Sequence, residues 1–389
     1  MISKGVQGNP VHEFPAYQPK TSDNPDAVTI SSWRIFRYRL PLVGPLPLAG
    51  GVIHEREGLL VRLESDSGAW GWGDAAPLPG FSREGIDEAA AEVVAWAGRL
   101  RGARFEPRGD GFVSWPERES ATVSPSVRFG LETALCSLAR RMEDGAVAEL
   151  AGFEGSVPVN GLLAGSRDQV LADAVRLRDG GCRAVKLKVG SRAVMEDVGL
   201  TRAVRDAIGD SVGLRLDANR SWSLEQAVAF GREMDTVGIE YLEEPLREAA
   251  RLRELFDATG IPVALDESLL ELLPEELEGR REVGAVVLKP TLLGGLARAR
   301  EWAAKALELD VRPVVSSCFE SGVGLLALAE FAWKATRDSV PAGLDTYRWL
   351  GADVVEPRIP FRAGAIVWSG ATAQAHRIEQ SRLTEIRHD

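Results

Sequence analysis

Arg215-Leu216-Asp217-Ala218-Asn219 places an acid where a short apolar strand runs out into a turn and a helix. Gly213 to Asp217 reads as the buried strand. Ser223 and Gln226 follow at the spacing of N-cap and N3 in a capping box, so a helix starts soon after Asp217. A strand period of two puts Arg215, Asp217 and Asn219 on one face. A single acid here would commonly do no more than cap the turn, but the same arrangement recurs downstream.

From residue 157 onward, short apolar segments alternate with helical patterns. Candidate strands cover 157–163, 184–189, 212–217, 239–243, 261–265, 285–288 and 311–316, with a weaker one at 340–344; helical periodicity fills 167–178, 194–207, 223–235 and 296–309. Near-continuous apolar strands joined by helices mean a parallel sheet buried on both faces. Seven or eight such units predict a TIM-like α/β barrel over a doubly wound sheet. No Gly-X-Gly-X-X-Gly follows the first strand and no Walker motif occurs, which argues against a dinucleotide or nucleoside-triphosphate fold.

The region before residue 157 reads differently. Alternation in Trp33 to Tyr38, then a hairpin from Glu57 to Leu63 and Ala69 to Trp72, predicts a small antiparallel sheet. Residues 41–51 and 75–81, apolar and rich in Pro and Gly, read as loops of the kind that form lids. Helical periodicity follows in 84–100 and 126–140, where Val127, Leu131, Leu135 and Leu138 form one stripe. The expected plan is an extension over 1–28, disordered and without the apolar run of a signal peptide, then an α+β unit over 29–155 and the barrel over 156–350. A last strand at 364–368, within a segment 351–389 that returns to the first unit, and a loose final dozen residues complete it.

A chain of 389 residues, 45% hydrophobic, can bury a large core. Its formal charge of −11 excludes a nucleic-acid surface and leaves any anion site to local cations or backbone amides. Three scattered cysteines, Cys136, Cys182 and Cys318, suit reduced thiols in a cytoplasm. No apolar stretch is long enough to cross a bilayer.

Charged residues recur at the predicted C-terminal ends of five successive barrel strands: Lys186 and Lys188, Asp217, Glu243, Asp266 and Lys289. In a barrel these ends converge on one mouth, the usual place of an active site. Three carboxylates from neighbouring strands repel one another unless a hard divalent cation lies among them, which points to Mg²⁺ or Mn²⁺. Glu243 and Glu244 point to opposite faces, as do Asp266 and Glu267, so one of each pair at most is a ligand; local sequence does not choose. His12, His54, His376 and His388 all fall outside the barrel strands, against a histidine-ligated zinc site. A cation flanked by lysines suits proton abstraction next to a carboxylate, with the enediolate stabilised by positive charge.

Val185-Lys186-Leu187-Lys188, Leu216-Asp217-Ala218-Asn219, Leu242-Glu243-Glu244-Pro245, Leu265-Asp266-Glu267-Ser268 and Leu288-Lys289-Pro290, in that order, resemble the enolase superfamily, muconate-lactonizing subgroup. The resemblance implies a modified (β/α)7β barrel with an α+β cap built from the N-terminal region and the C-terminal tail. It also implies Asp217, Glu243 and Asp266 as metal ligands with Asn219 and Glu267 behind them. Lys188 becomes the acid-base residue, Lys186 tunes it and Lys289 stabilises the enolate from the other face. Leu214 to Trp222, Ser316 to Gly324 and Gly343 to Thr346 are most similar to the subgroup's dehydratases that form o-succinylbenzoate in menaquinone biosynthesis. A small carboxylate substrate is then expected, contacted by Arg215, Ser316, Gly343 and the amides around Ser321 and Gly322. Racemisation of N-succinylamino acids is the competing expectation. The sequence assigns no oligomeric state.

Overall fold

The computed structural model describes residues 28–48, 50–105, 123–144, 148–150, 152–336 and 340–387; the extension expected over 1–28 lies outside them except for Val28. The cap is an antiparallel sheet of β1 (Val28–Leu48), β2 (Gly51–Ser65) and β3 (Trp70–Ala75), with α1 (Ile86–Leu100) and α2 (Pro125–Asp144) against it. The short β4 (Arg104–Phe105) pairs with the start of β1. The predicted stripe Val127, Leu131, Leu135 and Leu138 is buried against Val61, Leu63 and Val93. Gly71 and Gly73 of β3 lie so close to α2 that a Cβ at either would overlap its backbone, and only glycine allows that approach.

Residues 41–51 are not the loop expected. Leu46, Pro47 and Leu48 pair with Ile53, Val52 and Gly51, so the segment is the far end of a long β1–β2 hairpin, with pairing interrupted between Pro41 and Leu46. Among the described residues no third strand pairs with 46–48 or 51–53, and the segment's one further bridge is Leu42 with Leu350. Both strands are edges, and a proline nitrogen that faces away from the partner forfeits no ladder bond.

The barrel sheet has the order β12-β11-β10-β9-β8-β7-β6, every pair parallel. Its strands are β6 (Gly161–Leu163), β7 (Ala184–Lys188), β8 (Gly213–Asp217), β9 (Ile239–Glu243), β10 (Val263–Leu265), β11 (Val283–Leu288) and β12 (Arg312–Val315). Between them run α3 (Arg167–Asp179), α4 (Val194–Ile208), α5 (Leu224–Arg232), α6 (Leu252–Thr259), the short α7 (Pro290–Leu293) and α8 (Gly295–Glu308). The weak strand expected at 340–344 is reduced to parallel bridges, Ser316 with Gly343 and Val159 with Ala342. These join the two edges of the sheet and close the ring. The expected strand 157–163 is divided into β5 (Gly155–Pro158) and β6.

After α9 (Gly322–Ala335) the chain forms β13 (Val355–Glu356), β14 (Phe361–Arg362), β15 (Ala365–Trp368), α10 (Gly370–Ala375), β16 (Arg377–Ile378) and β17 (Leu383–Ile386). Two tail expectations are corrected here. β15 pairs with β5 and β14, not with the cap sheet. The final residues are not loose, because β17 pairs antiparallel with β1 and Arg34 forms a salt bridge with Glu385.

Gly73→Ala should lower unfolding stability by about 1–3 kcal/mol through overpacking against α2. Chemical denaturation measures it, and a change below about 0.5 kcal/mol would show that the sheet and helix can part at no cost.

Candidate active site

Strand parity sets which side chains face into the ring. Tyr241, Ala264, Ala285, Val287 and Val314 form a buried inner cluster, and the residues two further along, Glu243, Asp266, Lys289 and Ser316, lie one layer nearer the mouth. Register does the rest: Lys188 aligns with Asp217, and Asp217 with Glu243, across β7, β8 and β9. The expected acids and lysines therefore come together.

Each acid is held by a lysine. Lys186 Nζ donates to Glu243 Oε1 at 2.9 Å and Oε2 at 3.1 Å, and lies 3.4 Å from Asp217 Oδ2. Lys188 Nζ donates to Asp217 Oδ2 and to Asn219 Oδ1, both at 2.6 Å. On the other side of the mouth Lys289 donates to Asp266 Oδ2. Burial alone would push Asp217 up, but Lys188 and Lys186 hold it well below the usual carboxylate range. Glu243 goes the other way, to about 8, through burial and the repulsion of Asp217, which outweigh Lys186. Burial pulls Lys186 down, yet Glu243 and Asp217 together carry it above its ordinary value. Of the three lysines, Lys188 is the open one, its side chain 38% exposed against 11% for Lys186 and 16% for Lys289.

As they stand, no three Asp, Glu, His or Cys side chains among the described residues converge tightly enough to hold an ion. The carboxylates are turned toward the ammonium groups instead. Their chemistry nevertheless fits a hard divalent cation: Asp217, Glu243 and Asp266 are an all-oxygen set on three adjacent strand ends, at most 5% exposed. Glu267 adds a second sign. Its Oε1 accepts from Asn219 Nδ2 at 3.2 Å, while its buried Oε2 has no partner, the kind of orphan acceptor that a cation's coordination shell satisfies.

Glu244 is excluded from such a set by its own bonds. It accepts from the backbone N–H of Asp266 at 2.9 Å and of Ser268 at 2.7 Å, from Ser268 Oγ at 3.0 Å and from Arg220 Nε at 2.9 Å. The residue beside Glu243 thus fixes the start of the turn that carries Asp266. Sequence reasoning left Glu244 without a task and missed Arg220. Both sit at positive φ, 38° and 56°, which neither composition nor periodicity announces.

The expected substrate contacts need correction. Arg215 faces inward as parity requires, but it lies a layer below Asp217, where it donates to Glu240, Asn160 Oδ1 and the Pro341 carbonyl over the Tyr241 ring. It is not brought to the mouth. The amides expected to receive a carboxylate are taken: Ser321 N–H and Oγ both donate to Asp74 Oδ2, and Gly322 N–H donates to Asp353 Oδ1. Ser316 Oγ donates to the carbonyl of Gly343 at 3.2 Å, at the bridge that closes the ring.

A family model described as "Enolase C-terminal domain-like" matches residues 169–371, and one described as "MenC, N-terminal domain" matches 30–138. An o-succinylbenzoate synthase of Yersinia pseudotuberculosis serotype IB is 34% identical over 326 residues, 83% of this chain and 92% of that relative. The chain belongs to the o-succinylbenzoate synthase family of the enolase superfamily. It is a lyase of that type. Among solved structures, the L-Ala-D/L-Glu epimerase of Bacillus subtilis superposes with a TM-score of 0.73 at 25% identity, covering 88% of this chain and 96% of its own. A muconate lactonizing enzyme of Pseudomonas fluorescens gives 0.75 at 22% identity, with 91% and 98% covered. The superfamily fold is thus shared across several chemistries, so the particular reaction has to be argued from the mouth.

Glu244→Ala should cost about 1–3 kcal/mol for each buried N–H it leaves unpaired, whereas Glu244→Gln, which keeps an acceptor oxygen, should cost less than half as much. Urea denaturation of the two variants checks the order. Equal losses would mean that the carboxylate's charge, not its hydrogen bonds, anchors the Asp266 turn.

Proposed function

We propose that this chain dehydrates 2-succinyl-6-hydroxy-2,4-cyclohexadiene-1-carboxylate to o-succinylbenzoate, a step of menaquinone biosynthesis, with Lys188 as the proton carrier. The observation that carries the reading is the placing of Lys188 Nζ, the exposed amine of the three, against Asp217 Oδ2 and Asn219 Oδ1. These two acceptors fix the amine at the lip of the mouth. From there it takes the proton next to the substrate carboxylate, and the carbon–hydrogen electron pair moves into an enediolate. The enediolate then expels the neighbouring hydroxyl as its carbon–oxygen bond breaks, the same ammonium returns the proton to it, and water leaves with an aromatic ring behind. One base on one face suffices for this syn elimination.

Asp217, Glu243 and Asp266 would hold a divalent cation, Mg²⁺ or Mn²⁺, with Asn219 and Glu267 behind them. When bound, that ion takes the carboxylates' pull off the lysines and offsets the second negative charge of the enediolate. Lys186, held to Glu243 and close to Asp217, keeps positive charge beside Lys188. Lys289 stays cationic near the enolate, since burial pulls it down but Asp266, among other neighbours, raises it well above its ordinary value. The three cysteines are free and no described helix is long and apolar enough to cross a membrane. The reading puts the enzyme in the cytoplasm.

Racemisation of N-succinylamino acids is the second reading, favoured by one observation: Lys289 approaches from the opposite side of the ring to Lys188. It requires both lysines to move protons. The dehydration asks less of Lys289, which need only remain charged and is 16% exposed against 38% for Lys188.

Lys188→Ala should fold, bind Mg²⁺ as before and lose turnover by about 10²–10⁴-fold or more. Retained turnover in Lys188→Ala together with loss in Lys186→Ala would exchange the roles of the two lysines.

Chelation with EDTA should abolish activity, Mg²⁺ should restore it, and Asp217→Asn should prevent the restoration along with metal binding measured by calorimetry. Incubating both enantiomers of an N-succinylamino acid in D₂O beside the dehydration assay separates the two readings. A racemase kcat/KM equal to or above the dehydratase value overturns the first.

A further inference from the structure

The Arg56 side chain is 1% exposed and, among the described residues, its hydrogen bonds go to no carboxylate. A guanidinium carries five N–H bonds, and here all five meet main-chain carbonyls. Nε donates to Phe319 at 3.2 Å. One terminal nitrogen donates to Glu57 and Pro77, both at 2.7 Å, and the other to Ala76 at 2.5 Å and Cys318 at 3.4 Å. Of these five acceptors, two lie in the cap loop that follows β3 and two in the barrel loop that follows β12. One cap residue therefore holds both loops.

The barrel loop is gripped from its other side by Glu320, which accepts from Cys318 N–H at 2.6 Å and from Thr291 Oγ1 at 2.5 Å. Thr291 lies in the turn directly after Lys289. Phe319, between the two grips, has a φ of 61°, a left-handed conformation that a bulky side chain adopts only under constraint from its surroundings. An isolated apolar cluster fills the same seam. Leu48 and Leu78 of the cap pack there against Leu292, Cys318 and Phe319 of the barrel, apart from both main cores.

We propose that Arg56 is a positioning residue that joins cap loop 76–81 and barrel loop 316–320 into one wall of the substrate pocket on the Lys289 side. Nothing in its bonds reaches Lys188 or the carboxylate set. Its effect is to fix the distance and shape across the seam, so that the wall meets the substrate as a rigid surface instead of two loops ordered at each binding event. The kinetic part of this proposal rests on the dehydration reading above; the structural part does not.

Arg56→Lys keeps the charge with three donors in place of five, and Arg56→Met removes both. Hydrogen–deuterium exchange of the full chain, followed by kinetics with the dehydration substrate, tests the proposal. In Arg56→Lys, the amides of 78–82 and 317–320 should exchange faster together, by about tenfold, while those of 213–219 stay as they are. KM should rise by about fivefold or more with kcat changed less than about threefold, and Arg56→Met should exceed both effects. Faster exchange in one loop alone, an unchanged KM, or a loss confined to kcat overturns the proposal, as does failure of both variants to fold, which would make Arg56 structural only. A wild-type chain without dehydratase activity would instead sink the earlier reading, and the exchange experiment would still decide this one.

Discussion

Three carboxylates buried on neighbouring parallel strands, about 4.8 Å apart, cannot all stay ionised without positive charge among them. That constraint organises the mouth of this barrel. Lys186, Lys188 and Lys289 supply the charge from strands on either side of the acids, and they can do so because strand parity turns each of them inward, with Lys186 a layer below Lys188 and reaching up to Glu243. The opposed shifts of Asp217 and Glu243 record the strain of the arrangement. One is held ionised by two lysines, while the other, more crowded by acid than relieved by its lysine, is pushed toward its neutral form. A site whose charge is so evenly contested is sensitive to any charge added beside it.

The barrel was legible in the sequence because its strands are buried on both faces, so each appears as a short, continuous apolar run between helical patterns. The inward face of each strand was legible for the same geometrical reason. Depth was not. Arg215 and Asp217 share a face, but two residues along a strand is about 6.6 Å, enough to put one side chain at the mouth and the other in the ring's interior against Glu240 and Asn160. The hairpin beyond Pro41 and the strand β17 escaped because main-chain pairing at a sheet edge leaves little hydrophobic pattern. Half of β17 is exposed, and its partner β1 is more than three hundred residues away.

The amides at the start of α9 were hidden by the same long range. A helix N-terminus following a strand end looks from the sequence like a place for a substrate carboxylate. In the folded chain the carboxylates come from the protein itself, Asp74 of β3 and Asp353 of the C-terminal segment. Asp74 also accepts from Tyr38 on β1, so the helix end that could have met a ligand fastens the cap sheet to the barrel. Burial raises Asp74, and the Ser321 and Tyr38 hydrogen bonds offset part of that cost.

Two kinds of constraint therefore meet at one mouth. The acids and lysines stand on strands locked in register by the parallel ladder, so their geometry follows from the barrel and has little freedom to vary. The wall facing them is made by the cap, through Asp74 on Ser321 and Arg56 on five carbonyls, and its parts lie up to 263 residues apart in sequence. Short motifs at strand ends can reveal the first kind, because each motif carries its own geometry. The second kind exists only after the cap has docked.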